Sequence, residues 1–427
     1  MSQTTVVRGD ALARKLFSVA LFAQTIKKPS FSNQLTGDAP KQADAESKLK
    51  MQTVPDMPFV RVTDLSKTAG DTVSVDMFGL VGGKPLVGDI NAEGRGEKMT
   101  ATSMDIAIDN LTKVVDAGGK MAQQRTVHNL RSLAMAQLVS YFTRLDDQLS
   151  LVHAAGARGF HQGADWVVPL AADADFASIC VNTVKAPTYN RHFVASGTSL
   201  VKGGQQLGSI ATTDVFKLEH LDGFRTILDE MDFPLQPVRI ADDPAAQDEP
   251  MWVMYVSPRQ YSQILTNTSG ATLRSFQQYA WNRASYGSKH PLFKGEVGMW
   301  NGILVKKLAR PIRFTTGTSA KIITSANAAT ATESDQSIAG AITSSYAVDR
   351  AILFGAQALA TVYGKNKSSD YHFSWLERNY NFERNFEVAG DSMAGKSKLR
   401  FKYDDGTGTL VPTDHGVMVL DTAVALA

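Results

Sequence analysis

The stretch Arg125 to Ala155, RTVHNLRSLAMAQLVSYFTRLDDQLSLVHAA, decides how the 427-residue chain is read. Val127, Leu130, Ala134, Leu138, Tyr141, Leu145, Leu149 and Val152 recur every three or four residues, the period of one face of an α-helix. No Pro or Gly interrupts the run, and Gly156 and Gly159 supply its stop. At a rise of ~1.5 Å per residue the helix would extend roughly 45 Å, several turns beyond the globular mean. Arg131, Arg144, Asp146 and Asp147 fall on its polar face.

Upstream, Val73, Val75 and Met77 alternate with polar residues between Thr72 and Phe78, and the alternation returns at Met104, Ile106 and Ile108. A period of two implies two half-buried strands. The about two dozen residues between them, with Gly82, Gly83, Gly88, Gly94, Gly96 and Pro85, exceed what a hairpin needs. A projecting β-arm fits better than a compact domain. Ahead of these strands Leu12, Leu16, Val19, Ala23 and Ile26 mark one short amphipathic helix, followed by a polar stretch around Ser30 to Ser47. That arm cannot form its own core and must borrow a surface, either elsewhere in the chain or on a neighbouring subunit. Arg14 and Lys15 before the apolar run Leu16 to Ala23 imitate an export signal, but the run is short and Asp10 spoils the positive flank.

Downstream, Phe160 to Ser209 mixes strand-like pieces and loops without a period. A second helix is expected from an Asp214 N-cap to about Asp232, stopped before Pro234. Met251 to Val256 reads as a buried strand, Ser257-Pro258 opens a helix through Leu265, and Ala271 to Ala284 forms another. Val297 to Val305 reads as a hairpin with Asn301-Gly302 at its turn. Phe382, Phe386 and Val388, then Leu399, Phe401 and Tyr403, then Val417 and Val419, are expected to return as strands to one sheet. Helices and strands alternate without the beat of a doubly wound parallel sheet, so the class is α+β.

Composition narrows the function. Hydrophobic content of 43% with 20% charged residues belongs to a folded protein, and the length calls for more than one packing unit. A net charge of +2 draws nucleic acid or anionic lipid weakly, so any DNA contact should be salt-sensitive. No apolar stretch approaches the ~20 residues of a membrane helix. With one cysteine, Cys180, there is neither an intrachain disulfide nor a thiolate zinc site, and its apolar neighbours make it a buried small residue.

Gly390, Gly395, Lys396 and Ser397 satisfy the phosphate-loop spacing G-x-x-x-x-G-K-S. That loop needs a strand before it and a helix after it, whose N-terminal amides hold the phosphates. The sequence after Ser397 instead alternates through Tyr403 towards Asp405-Gly406, which reads as a strand and a turn, leaving Gly390 to Ser397 as a glycine-rich hairpin loop. The histidines at 128, 153, 161, 192, 220, 290, 372 and 415 include no i, i+4 pair, and G-x-S-x-G is missing. His128 and His153 are read as packing or surface residues. Asp229 with Glu230, and Asp146 with Asp147, read as solvated acidic faces. Trp252, Tyr255, Tyr279, Trp281 and Trp300 lie in apolar periodic segments and read as core, not as base-stacking platforms. No catalytic, cofactor-binding or metal-ligating residue is expected.

Arm, projecting hairpin, long helix and mixed α+β remainder, in that order, resemble the major capsid proteins of tailed bacteriophages with the HK97-like fold. Gly118 to Leu133, GGKMAQQRTVHNLRSL, is similar to the start of the spine helix in a podovirus-type branch, and Ala69 to Phe78, AGDTVSVDMF, to the opening of its extended loop. Arg283 to Lys307, RASYGSKHPLFKGEVGMWNGILVKK, and Met251 to Leu265 resemble the same branch. The resemblance implies an N-terminal arm over 1–62, an extended loop with flanking peripheral strands over 63–120, and a spine helix over 121–158. It implies an insertion and axial domain over 159–365 and a return to the peripheral sheet over 366–427. It further implies a non-enzymatic subunit that forms hexamers and pentamers of an icosahedral head around double-stranded DNA, built in the host bacterial cytoplasm. The implied partners are other copies, a separate scaffolding protein, a portal, a decoration protein, and DNA bound non-specifically on the inner face, with no membrane. A tail-tube or decoration protein is the alternative reading, and a phosphate-loop enzyme using Gly390 to Ser397 a further one.

Overall fold

In the computed structural model of the chain, the described residues are 31–36, 56–62, 70–78, 85–87, 93–96, 101–119, 130–163, 165–202, 204–239, 249–286, 297–340, 342–365, 372–380, 385–404 and 409–426. The first ten strands are β1 Phe59–Val62, β2 Thr72–Phe78, β3 Ala101–Ala107, β4 Asp109–Gly119, β5 His192–Ser196, β6 Ser199–Lys202, β7 Trp252–Val256, β8 Val297–Trp300, β9 Ile303–Lys307 and β10 Ile312–Phe314. The others are β11 Ser319–Ile323, β12 Glu333–Ser337, β13 Tyr346–Phe354, β14 Leu359–Tyr363, β15 Phe373–Tyr380, β16 Asn385–Lys398, β17 Arg400–Asp404, β18 Leu410–Asp414 and β19 Val417–Ala425.

Two sheets organise the molecule. WVMYV of β7, YAVDRAILF of β13 and VMVLDTAVA of β19 are near-continuous apolar runs, which belong to strands covered on both faces. They lie inside an eight-stranded mixed sheet of order β6-β5-β19-β13-β7-β9-β8, with β10 also on β13. On one face Trp252, Met254, Leu353 and Leu420 pack under the helices Leu218–Glu230, Pro258–Asn267 and Gly270–Tyr286. On the other, Val253, Tyr255, Ile352 and Val419 meet Phe31, Leu35 and the end of the long helix.

The second sheet has five strands, β1-β14-β16-β15 with β4 added to β16. The spine helix, Leu130–Ala155, lies over it, with Ala134, Leu138, Phe142 and Leu145 against Phe373, Trp375 and Val388. Ala134, Leu138, Leu145, Leu149 and Val152 are buried at the expected period, whereas the proposed start at Arg125 to Asn129, with Val127 and His128, lies outside the described residues.

β2 and β3 form the expected antiparallel ribbon. Its stem presses Val73, Val75, Met104 and Ile106 onto Val60, Val362, Leu399 and Phe401. Asn301 and Gly302, at φ 46° and 79°, make the hairpin turn between β8 and β9 with both central residues left-handed, as an Asn-Gly pair favours. Ser257 caps the helix at Pro258–Asn267 through a reciprocal box with Gln260.

Three expectations need correction. The helix expected from Asp214 begins at Leu218, because the Asp214 carboxylate instead accepts the Gly197 and Ala211 N–H groups and closes the preceding turns. The terminal strands enter three sheets and not one: β16 joins the five-stranded sheet, β17 pairs with β18, and β19 runs between β5 and β13. The phosphate-loop segment is no loop, as described below. The amphipathic helix at Leu12 to Ile26, the stretch 37–47, Gly82, Gly83, Gly88, Phe382 and the Asp405-Gly406 turn lie outside the described residues.

Candidate functional site

Gly390 to Ser397 lies within β16, a continuous strand hydrogen-bonded on both edges as far as Ala394 and paired with β14 from Ala394 to Lys398. The glycine-rich hairpin loop expected there does not form, and neither does a phosphate cradle, because the backbone is extended within a sheet and is followed by the strand β17, where a cradle needs a loop and a helix N-terminus. Gly395 is needed for close approach: an added Cβ would stand 1.9 Å from the Ala107 carbonyl oxygen.

Lys396 is 4% exposed and spends its three donors inward. Its Nζ reaches Asp146 Oδ1 at 2.6 Å, the Asp146 carbonyl at 2.8 Å and Ser150 Oγ at 2.6 Å. Ser150 Oγ shares a 2.9 Å hydrogen bond with Ser32 Oγ, and the Ser32 N–H donates to Asp147 Oδ1 at 3.0 Å. One polar knot therefore ties the arm, the spine helix and the central strand of the second sheet. Burial would raise the Asp146 pKa, but the Lys396 and Arg61 charges outweigh it and hold the carboxyl below its ordinary value. The expected solvated face at Asp146 and Asp147 is thus wrong, since both face other parts of the chain.

Further ion pairs are buried where apolar strands carry a charge. Arg350 on β13 forks onto Asp421 on β19 with two 2.7 Å contacts, and His192 Nε2 lies 2.6 Å from the same carboxylate. Desolvation pushes Asp421 up, yet Arg350 and His192 reverse the sign and hold it well below the usual carboxylate range. Lys398 and Arg400 do the same for Asp414, at 2.7 and 2.8 Å. In these clusters each charge lies against an opposite one inside the fold, where losing one partner would strand the other.

The remaining candidate residues are scattered. Cys180 is buried at the end of the short helix Phe176–Cys180, and desolvation pushes its thiol up to about 12, the wrong direction for a nucleophile. His153 is buried beside the Cys180 carbonyl at 3.3 Å, with its pKa lowered to about 4 by desolvation. Asp229 and Glu230 are exposed as expected, with Asp229 on Arg225 at 2.9 Å. Trp252 and Tyr255 are core residues, whereas Tyr279 is 55% exposed, on the outer side of its helix, and departs from the core reading. Among the described residues no group of three His, Cys, Asp or Glu could hold a metal, and no helix is long and apolar enough to cross a membrane.

What the molecule does present is surface. In the segment between β2 and β3, Leu86 and Val87 are 44% and 75% exposed. On the face of the second sheet away from the spine helix, Leu376, Ala389 and Val114 lie in one cross-strand row, beside a charged row of Arg378, Glu387 and Asp116. Leu376 and Val114 are both exposed. Apolar rows flanked by charges suit association.

The sequence profile of a family described as phage capsid protein matches residues 5–426. The chain belongs to the phage capsid protein family. Solved structures agree on the HK97-like fold. The capsid of Ralstonia phage GP4 is similar at TM-score 0.68 and 24% identity, covering 100% of this chain and 99% of that one. The cyanophage Pam1 capsid subunit follows at TM-score 0.59 and 15% identity, with full coverage of both chains. The capsid of Helicobacter pylori bacteriophage KHP30 is similar at 0.54 and 11%, over 99% and 93% of the two chains. No curated protein matches the sequence. This major capsid protein thus has the α+β class and the family expected of its sequence, as a structural component of a bacteriophage virion.

Proposed function

We propose that this capsid protein associates with its own copies into the hexamers and pentamers of an icosahedral head enclosing double-stranded DNA, and that its role is structural and not enzymatic. The observation that carries the reading is the β2–β3 ribbon. Its two strands rest on the subunit's own core while Leu86 and Val87, in the segment between them, stand exposed, so these apolar side chains gain burial against another chain.

In this reading the spine helix and the five-stranded sheet form the peripheral unit. Residues 159–365 form most of the axial unit, and β19 inserts into the axial sheet. Assembly takes place in the host cytoplasm with a separate scaffolding protein, a portal and a decoration protein, and the inner face touches DNA non-specifically. Weak contacts repeated and closed by symmetry supply the stability of the shell. Deleting residues 82–96 should leave a soluble, folded subunit that cannot close shells. Normal particles from that deletion under the electron microscope would refute the proposal.

A further inference from the structure

The arm segment 31–36 sits in a seat made by both sheets. The Phe31 ring meets Phe59 of β1, in the five-stranded sheet, at 5.5 Å, and it meets Tyr255 of β7 and Phe354 of β13, in the eight-stranded sheet, at 4.9 and 5.9 Å. Leu35 is fully buried, and its carbonyl accepts the Phe59 N–H at 3.0 Å. Ser32 holds Asp147 and Ser150 of the spine helix in the polar knot. Gln34 reaches the other way, its Oε1 accepting from Lys306 Nζ of β9 at 2.9 Å and from the Tyr255 hydroxyl at 3.3 Å. Lys306 is buried, so this charge-assisted bond is shielded from water.

Where these contacts fall decides what they do. The spine helix is tied to the eight-stranded sheet at its last residue, where Arg350 Nη1 of β13 donates to the Ala155 carbonyl at 3.0 Å. Apolar packing around that point, by Leu151, Ala154 and Ala155, is non-directional and tolerates small sliding of the packed elements. Asp147 lies two turns earlier, about 12 Å along the axis at ~1.5 Å per residue. A tie at this second place removes rotation about the first, and segment 31–36 supplies it, with Ser32 on the helix and Gln34 on β7 and β9. Hydrogen bonds hold a length and an angle, so they set an orientation where packing sets only proximity.

We infer that segment 31–36 is a strap that fixes the angle between the two sheets, and that the two halves of the subunit turn against each other about the Ala155 end of the helix once the strap is lifted. Each half keeps its own packing without it. The apolar cluster beneath the helices Leu218–Glu230, Pro258–Asn267 and Gly270–Tyr286 contains no residue of the segment, and neither does the cluster between the spine helix and the five-stranded sheet. The strap acts within one subunit, so it stands or falls apart from the assembly reading.

The test measures the distance between the two halves in unassembled full-length subunits by pulsed electron double resonance. Spin labels go on Leu376→Cys of β15 and Tyr279→Cys of the helix Gly270–Tyr286, both exposed positions, while the native Cys180 is buried. With the strap intact a single narrow distribution is expected. In the triple variant Phe31→Ala, Ser32→Ala, Gln34→Ala it should spread by ~5 Å or more, the scale of a hinge movement. Hydrogen exchange should accelerate roughly tenfold more at β1 and β9 than at the interior strands β13 and β19. Gln34→Ala alone, which cuts the tie to β7 and β9, should give a smaller spread and decides the matter if the triple variant fails to fold. A distribution that stays narrow in the folded variants, or one already broad with the strap intact, would overturn the inference. So would an equal rise in exchange at all four strands, which marks a general loss of stability and not a freed joint.

Discussion

The two halves of the spine helix are built on different rules. From Leu130 to Ser140 only a stripe is covered: Ala134, Leu138 and Val139 are buried while Ser132, Leu133, Ala136 and Gln137 are exposed. From Asp147 to Ala155 every residue is buried, polar and apolar alike. The first half rides on one sheet, whereas the second is wedged between that sheet, the arm and the eight-stranded sheet, with Leu151, Ala154 and Ala155 in the larger core. An amphipathic period marks a helix with one neighbour, and it fades where a helix has neighbours all round. The helix is therefore the joint between the two sheets, and its second half carries the load.

The contrast can be broken hardest at the polar knot. Lys396→Ala should destabilise the subunit by about 3–5 kcal/mol, the cost of stripping one member from a buried pair, and should lower the denaturation midpoint. Asp146→Leu combined with Lys396→Met should recover much of that loss, and a denaturant midpoint for Lys396→Ala equal to wild type would mean that the knot is ornamental. Next comes a pair of leucines. Leu151→Ala, in the enclosed half, should cost about 2–5 kcal/mol. Leu133→Ala, in the half with a free side, should stay within about 0.5 kcal/mol. Equal losses would erase the distinction.

The third effect depends on pH. His153, in the enclosed half, has its folded pKa lowered to about 4 by burial, against an ordinary value of 6.5. Below 6.5 the unfolded chain takes up the proton first, so stability is full above that pH and falls as pH drops towards about 4. The slope from this one site is at most about 1.4 kcal/mol per pH unit. His372 and His415, lowered to about 3 and about 4, act with the same sign. His153→Gln should flatten the midpoint-against-pH curve between 6.5 and 4 by one site's share; an unchanged curve would show that the ring is not held neutral.

Local patterns carried much of the fold. The Ser257-Pro258 cap, the Asn301-Gly302 turn, the alternation in β2 and β3 and the period of the spine helix each depend on residues close in sequence, and each formed where expected. The destination of the last strands was not legible, because apolar residues such as Val388, Phe401 and Val419 show that a strand is buried but not which sheet buries it. The knot was hidden for the same reason: Asp146 and Lys396 are 250 residues apart. One signal was available. Lys396 and Lys398 alternate with Gly395 and Ser397 in a strand of small residues, where two lysines on one face demand buried acids. Asp214 failed as a cap because a carboxylate satisfies whichever N–H groups the chain brings to it, and here those belonged to the preceding turns.

The order of strands in the eight-stranded sheet sets a schedule for synthesis. Among the described strands β19 alone joins the β5–β6 pair to the strands from β13 onward, and it leaves the ribosome after all of them. Without Val417 to Ala425 the described strands fall into two groups that share no pairing, and Asp421 is missing from Arg350 and His192. A chain made only as far as β18 therefore lacks the strand that joins the two groups, and with it the completed sheet.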